Sequence, residues 1–218
     1  FKIIPIKKIS KGDVADKLID NIRPKINNIK VGPYNDQSSD MGPVVSKEAF
    51  ERINKLISSG TEEGANLVID GRDIKLQGYE NGYFIGPCLF DNVNKNMKIY
   101  SEEIFGPVLS IVRSDTYDDA LNLVKQNLYG NGCSIFTRDG DTARNFSNEA
   151  NIGMVGVNIP IPVPVAYFSF GGWKNSIFGG HNAYGMDAIR FYTNVKTVTS
   201  KWPEGTRHGA EFKMPILG

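Results

Sequence analysis

The stretch SEEIFGP, residues 101–107, sets two adjacent carboxylates, Glu102 and Glu103, beside the ring of Phe105 and a rigid Gly106-Pro107 pair. Adjacent carboxylates repel and a phenyl ring gains little from water, so the grouping asks for a chemical reason. One reading is a solvated turn with Ser101 as a local cap. The other is a binding site, in which a carboxylate accepts hydrogen bonds from a sugar diol while the ring packs on a planar heterocycle. Side-chain direction reverses at each residue of an extended segment, so only one Glu of the pair is expected to face such a site.

Other reactive chemistry is sparse. The two histidines, His181 and His208, stand near no Cys or carboxylate pair at metal-ligand spacing, and no metal site is expected. Cys88 follows Pro87 between apolar residues, and Cys133 opens an apolar run. With no base or cation near either in sequence, both read as small buried hydrophobes and not as nucleophiles. No strand-like run leads into G-x-G-x-x-G, and Gly130-Asn131-Gly132 and Gly179-Gly180 suffice only for turns. Asn145-Phe146-Ser147 matches a glycosylation sequon, a pattern too short to carry weight.

The elements that must position these residues follow from periodicity. Residues 1–6 read as a strand, and Asp13 caps a helix whose Val14, Leu18 and Ile22 recur one turn apart, with Pro24 helping to end it. After the polar VGPYNDQSSDMGP loop, Ser46 caps a second helix with Glu48 in its first turn. Its apolar stripe is Phe50, Ile53 and Ile57, and its stop is Gly60. NLVID, DIKLQ and YFIGPCLF then read as strands, and VLSIV as a buried one. Tyr117, Ala120, Leu121 and Val124 mark another helix; CSIFT, DTARNFSNEA and GMVGVN continue as strand, helix, strand. This alternation predicts an α/β fold, a mostly parallel sheet with flanking helices.

IPIPVP and FSFGGWKNSIFGG make a long irregular loop, whose length points to function and whose aromatic content argues against disorder. A short helix over residues 186–191 precedes NVKTVTSKW, which reads as a strand whose unpaired edge invites a partner.

Composition bounds the function classes. The 218 residues suit one large domain or one domain with an appendage. A net charge of +1, from 25 basic and 24 acidic residues, gives no basic excess for nucleic acid and no acidic tail. No apolar run approaches the roughly 20 residues that span a bilayer, so no membrane insertion is expected. Two cysteines make no disulfide framework and fit a reducing compartment. The sequence opens on Phe1 rather than Met and is expected to continue a longer chain, ahead of which any targeting segment would lie.

SEEIFGPVLSIV, with GPCLFDNV before it and FGGWK, YG and FYTNVKTVT after it, resembles the aldehyde dehydrogenase superfamily. SSGTEEGANLVIDGR, GYENGYFIGP, VGVNIPIPVPVAYFSFGGWKNSIFG and IRFYTNVKTVTSKW are similar to its CoA-acylating methylmalonate-semialdehyde dehydrogenases, and the likeness runs from the helix after Asp13 to Trp202. EEIFGP marks the superfamily; IPIPVP together with FSFGGWK is the more specific signal.

The resemblance implies that Glu103 binds the nicotinamide ribose hydroxyls of NAD and that Phe105 packs near the nicotinamide. It implies that Phe170, with Phe168 beside it, lines an aldehyde pocket, and that Asn158 stands in a strand-to-loop turn near the site. It also implies coenzyme A as co-substrate and a homo-oligomer, a homotetramer, joined through the strand at residues 192–202. The compartment implied is mitochondrial for a eukaryotic source and cytoplasmic for a bacterial one.

The family's nucleophilic Cys, the Asn of its oxyanion hole, its general-base Glu and its dinucleotide-binding domain have no counterpart here. The chain therefore looks like the C-terminal portion of such an enzyme. Residues 1–191 would be catalytic domain, 192–202 the oligomerisation strand and 203–218 a tail, with the nucleophile expected upstream of Phe1. Two other readings stand beside it: a non-catalytic structural subunit that docks through its terminal strand, and a nucleotide-binding module without catalysis.

Overall fold

In the computed structural model, residues 14–182 and 184–202 are described. Helix α1 (Val14–Asn27) buries Ala15 and Ile19. It runs through Pro24, the expected stop, because a proline this near the helix end removes only one hydrogen bond and Ile26 still packs on the core behind it. Helix α2 (Lys47–Glu62) starts as expected, with the Ser46 hydroxyl accepting from the Ala49 N–H at 3.2 Å. Gly60 does not stop it. A Cβ there would stand 2.8 Å from Ile99 Cδ1 and 3.0 Å from the Phe90 ring, so this glycine lets the helix approach the core. The chain leaves the helix through Gly64, at φ +94°.

The first sheet has the order β1-β2-β3, built from β1 (Asn66–Ile69), β2 (Cys88–Asp91) and β3 (Val108–Ser110). Every residue of β2 is buried, and its alternation sorts the two faces. Cys88 and Phe90 join Ile53, Leu56 and Ile57 of α2 in one cluster, while Leu89 joins Ile19 of α1 and Ile111 in another. Helices thus cover both faces of the strand, as its burial on both faces requires. The connection from β2 to β3 carries the short helix α3 (Lys98–Ser101).

Helix α4 (Tyr117–Gln126) is capped by Thr116 and followed by β4 (Tyr129–Gly130) and β5 (Gly132–Ile135). Helix α5 (Gly140–Glu149), capped by Asp139, leads to β6 (Met154–Val157); β7 (Trp173–Lys174) and α6 (Gly185–Tyr192) follow. Leu121, Val124, Ile135, Phe146 and Ile152 form the core of this part. Phe146, the middle residue of the sequon, is one of them.

The expected α/β class holds, with small sheets in place of one large parallel sheet. The β2–β3 and β5–β6 pairs are parallel, but β1–β2 and β4–β7 are antiparallel. The difference follows from the connections. Parallel neighbours need a crossover such as α3 or α5, whereas β1 returns to β2 through a loop. That loop includes DIKLQ, which forms no strand. Its ends meet where the Gly86 N–H donates to the Gly71 carbonyl at 2.7 Å, so the residues between bulge outward. The strand expected at residues 192–202 is not formed in this chain: Tyr192 completes α6, and residues 193–202 are neither helix nor strand. The strand at residues 1–6, the cap at Asp13, His208 and the tail at 203–218 lie outside the described residues. Among the described residues no helix is long and apolar enough to cross a membrane.

Candidate functional site

SEEIFGP lies between α3 and β3, where the chain turns from the helix back to the sheet. The Glu102 N–H closes α3 by donating to the Lys98 carbonyl at 2.8 Å, and Ile104 is buried in the α2 cluster. Anchored at Ile104, the chain passes Phe105 at φ +49°, a left-handed backbone that bulky residues seldom adopt. The surroundings force it. A Cβ at Gly106 would come within 2.7 Å of Ile53 Cδ1, and the Arg52 guanidinium donates to the Glu103 carbonyl at 3.1 Å. The Phe105 ring is left 70% exposed. Backbone strain of this kind, of order 1–3 kcal/mol, persists where the fold over-determines it and gathers at ligand sites.

Glu102, Glu103 and Phe105 line a cleft of about 510 Å³, together with Ile29, Pro107 and Val108. Both Glu102 and Glu103 are exposed at its rim. Among the described residues the Glu103 carboxylate has no partner and stays available as an acceptor. Cys88 also borders the cleft, but burial pushes its thiol up in pKa, and Cβ–Sγ packs within the core. Such a thiol is no nucleophile. Cys133 is half-buried on β5.

The other three expected site residues are placed elsewhere; none borders that cleft. Asn158, at φ +57°, follows β6 and clamps the turn after β5. Its side chain accepts from the Thr137 N–H at 2.9 Å and donates to the Thr137 carbonyl at 3.0 Å. Phe168 is paired with Tyr167 at a ring distance of 4.6 Å, and Phe170 meets Tyr184 edge-on at 5.7 Å.

Several residues that position these loops were not singled out by sequence reasoning. Lys174, in the FGGWK run, sends its ammonium to the carbonyls of Val124, Lys125 and Asn127 at 3.2, 3.0 and 3.0 Å, which closes the C-terminus of α4. Burial lowers its pKa. Arg113 grips the buried Asp91 with two hydrogen bonds, at 3.0 and 2.8 Å, and reaches Asp16 on α1 at 2.5 Å. Burial pushes Asp91 up, yet the bonds from Arg113 and the Asn92 N–H outweigh it and hold the carboxyl below its usual range. These pairs span 22 and 97 residues of sequence, and no local spacing announces them.

The small mixed sheets with helices packed against them make an α/β fold, and Glu102, Glu103 and Phe105 line a cleft beside the first sheet. The sequence model of the aldehyde dehydrogenase family matches residues 8–198, and the chain belongs to that family. It is 50% identical over 205 residues to a malonate-semialdehyde dehydrogenase of Pseudomonas aeruginosa, covering 94% of this chain and 41% of that protein. It is 47% identical over 206 residues to the acylating, mitochondrial methylmalonate-semialdehyde/malonate-semialdehyde dehydrogenase of Bos taurus, covering 94% of this chain and 38% of that protein. A crystal structure from Sinorhizobium meliloti, assigned as methylmalonate-semialdehyde dehydrogenase and complexed with NAD, superposes with a TM-score of 0.87 at 58% identity. It covers 90% of this chain and 40% of that one. The chain thus spans about two-fifths of the length of the relatives it matches.

Proposed function

We propose that this chain is part of a longer NAD-dependent, CoA-acylating dehydrogenase that oxidises methylmalonate or malonate semialdehyde to an acyl-CoA. The observation that carries the reading is the strained, exposed Phe105 beside the unpartnered Glu103 carboxylate on an open cleft. The similarity to malonate- and methylmalonate-semialdehyde dehydrogenases supports the substrate, and the NAD complex of one of them supports the cofactor.

The residues fit that cofactor. Glu103 offers two acceptor oxygens to a ribose diol, and Phe105 offers an apolar face to the nicotinamide. NAD, when bound, supplies the hydride acceptor of the oxidation. Glu103 would hold the ribose and Phe105 would pack beside the nicotinamide, a positioning contribution to catalysis. Phe170 and Phe168 supply apolar wall to the aldehyde pocket, and Asn158 fixes the turn that borders it. The thiolate that attacks the aldehyde, and that hands the acyl group to CoA, comes from outside residues 1–218 in this reading.

Residues 1–191 belong to the catalytic domain in this proposal, 192–202 form an oligomerisation strand and 203–218 a tail. The exposed Val195, Val198 and Trp202 support a segment that finds its partners in another subunit, as in a homotetramer. A eukaryotic source implies mitochondria and a bacterial one the cytoplasm.

The test is Glu103→Gln in the full-length enzyme. Loss of charge-assisted hydrogen bonds should slow single-turnover NADH formation about tenfold or more, with a smaller change in aldehyde binding. An unchanged single-turnover rate would sink the role. The inert, buried Cys88 favours a second reading for a product limited to these residues, a non-catalytic structural subunit. The intact mass of the native polypeptide, measured beside CoA-dependent NADH formation, separates the two.

A further inference from the structure

The loop that carries Phe168 and Phe170 is seated on the start of α6 and the residues just before it by four contacts. The Ser169 hydroxyl, between the two rings, donates to Asp187 Oδ2 at 2.5 Å. The Asn182 amide donates to the same Ser169 oxygen at 2.9 Å. Tyr184, the residue before the helix, meets the Phe170 ring edge-on. Gly185, at φ +66°, lies so close to the loop that a Cβ there would stand 2.5 Å from the Tyr167 carbonyl oxygen.

Asp187 is the hub of this arrangement. As the third residue of α6 it suits the positive end of the helix, and that alone would keep an acid there. Its two oxygens do more. Oδ2 takes the Ser169 hydroxyl, while Oδ1 faces His181 Nδ1 at 4.0 Å and Arg190 Nη1 at 3.8 Å. One carboxylate therefore ties together the aromatic loop, the 181–182 turn and the helix. Few other contacts are available for the job, since α6 has no buried residue and Phe168 and Tyr167 are exposed.

We infer that Asp187 is a positioning residue for the aldehyde pocket, acting through Ser169 to set where Phe168 and Phe170 stand. The inference rests on the assignment of those two rings to the pocket. A shift of the Ser169 backbone moves the Cα of both neighbours, so loss of the bond loosens both walls at once. The expected signature is weaker aldehyde capture with NAD binding intact.

The experiment compares Ser169→Ala, Asp187→Ala, the double variant and Ser169→Thr in the full-length enzyme. Each single alanine variant should raise the aldehyde KM about 5- to 10-fold, the size of one ordinary hydrogen bond at a half-exposed site, and leave the NAD KM within about twofold. The double variant should be no worse than either single one, because both remove the same link. Ser169→Thr, which keeps the hydroxyl, should restore the aldehyde KM. Amide exchange at residues 167–171 should quicken in both alanine variants and not in Ser169→Thr.

Additive effects in the double variant would reduce Asp187 to a helix-end charge and overturn the role. So would an unchanged aldehyde KM in either single variant of an active enzyme. Unchanged exchange would overturn the clamp itself. A wild-type enzyme that forms no NADH from the semialdehyde would instead overturn the functional reading beneath it, and this role with it.

Discussion

Residues 44–112 and residues 159–202 are both rich in apolar side chains but are held by different means. In the first, α2 and the first sheet close on a core in which Ile53, Ile57 and Phe90 are 0% exposed. In the second, Phe178 is 97% exposed and α6 buries nothing. What holds that region is a set of discrete ties: Lys174 on the end of α4, Ser169 on Asp187, and glycines that let backbones touch. An apolar core is stabilised by what it removes from water, and exposed rings contribute little of that kind.

The comparison breaks most visibly in the core. Phe90→Ala should destabilise the fold by about 3–5 kcal/mol, read as a lower denaturant midpoint. A change under about 1 kcal/mol would mean that the first sheet is not the stabilising centre. Arg113→Met comes next, since it leaves the buried Asp91 without its cation; about 2–3 kcal/mol is expected.

That pair also sets a pH response. Asp91 titrates below its unfolded value near 3.9, so its contribution is complete above that pH. It fades as the pH falls through the depressed native value. Arg113→Met should therefore flatten the acid limb of a stability-versus-pH curve and leave the limb above about pH 5 parallel to wild type.

Lys174→Met tests the discrete ties. Loss of the bonds to three α4 carbonyls should cost about 1–2 kcal/mol and quicken amide exchange at the end of α4, with little change in the first sheet. The smallest effect belongs to Phe178→Ala, within about 0.5 kcal/mol in the isolated chain. A larger loss in the full-length protein than in the chain alone would sharpen the contrast, because it would show that the ring is covered there.

The elements were legible where local rules act alone. Ser46, Thr116 and Asp139 each accept backbone N–H bonds at the start of a helix, and the Ile53–Ile57 stripe faces the core. Gly60 and Pro24 misled because their usual meaning, a stop, was overruled by packing a few ångströms away. DIKLQ has the composition of a strand, yet the close approach of Gly71 and Gly86 leaves it no neighbour to pair with. The mixed sheet was hidden for the same reason: strand direction depends on the path between strands, which composition does not record.

At the cleft, sequence reasoning found Glu103 and Phe105 but not the geometry that makes them available. A carboxylate and a ring are visible in SEEIFGP; the left-handed backbone at Phe105 is not. Asn158 was named for the site, and what the structure places there is a clamp on Thr137. Lys174 was quoted only as part of a motif, and its partners lie 47 to 50 residues away.

By itself the sequence determined the longer helices (but not the short α3), most strand positions, the chemical types at the cleft and the family to which they belong. These depend on spacing within a few residues, where capping and periodicity act. Only the tertiary structure decided which strands run antiparallel, that Gly60 and Gly106 lie close against Ile99 and Ile53, and that Arg113 and Asp187 are hubs. Those outcomes depend on contacts between residues far apart in the chain, whose distances and desolvation exist only once the chain has closed on itself.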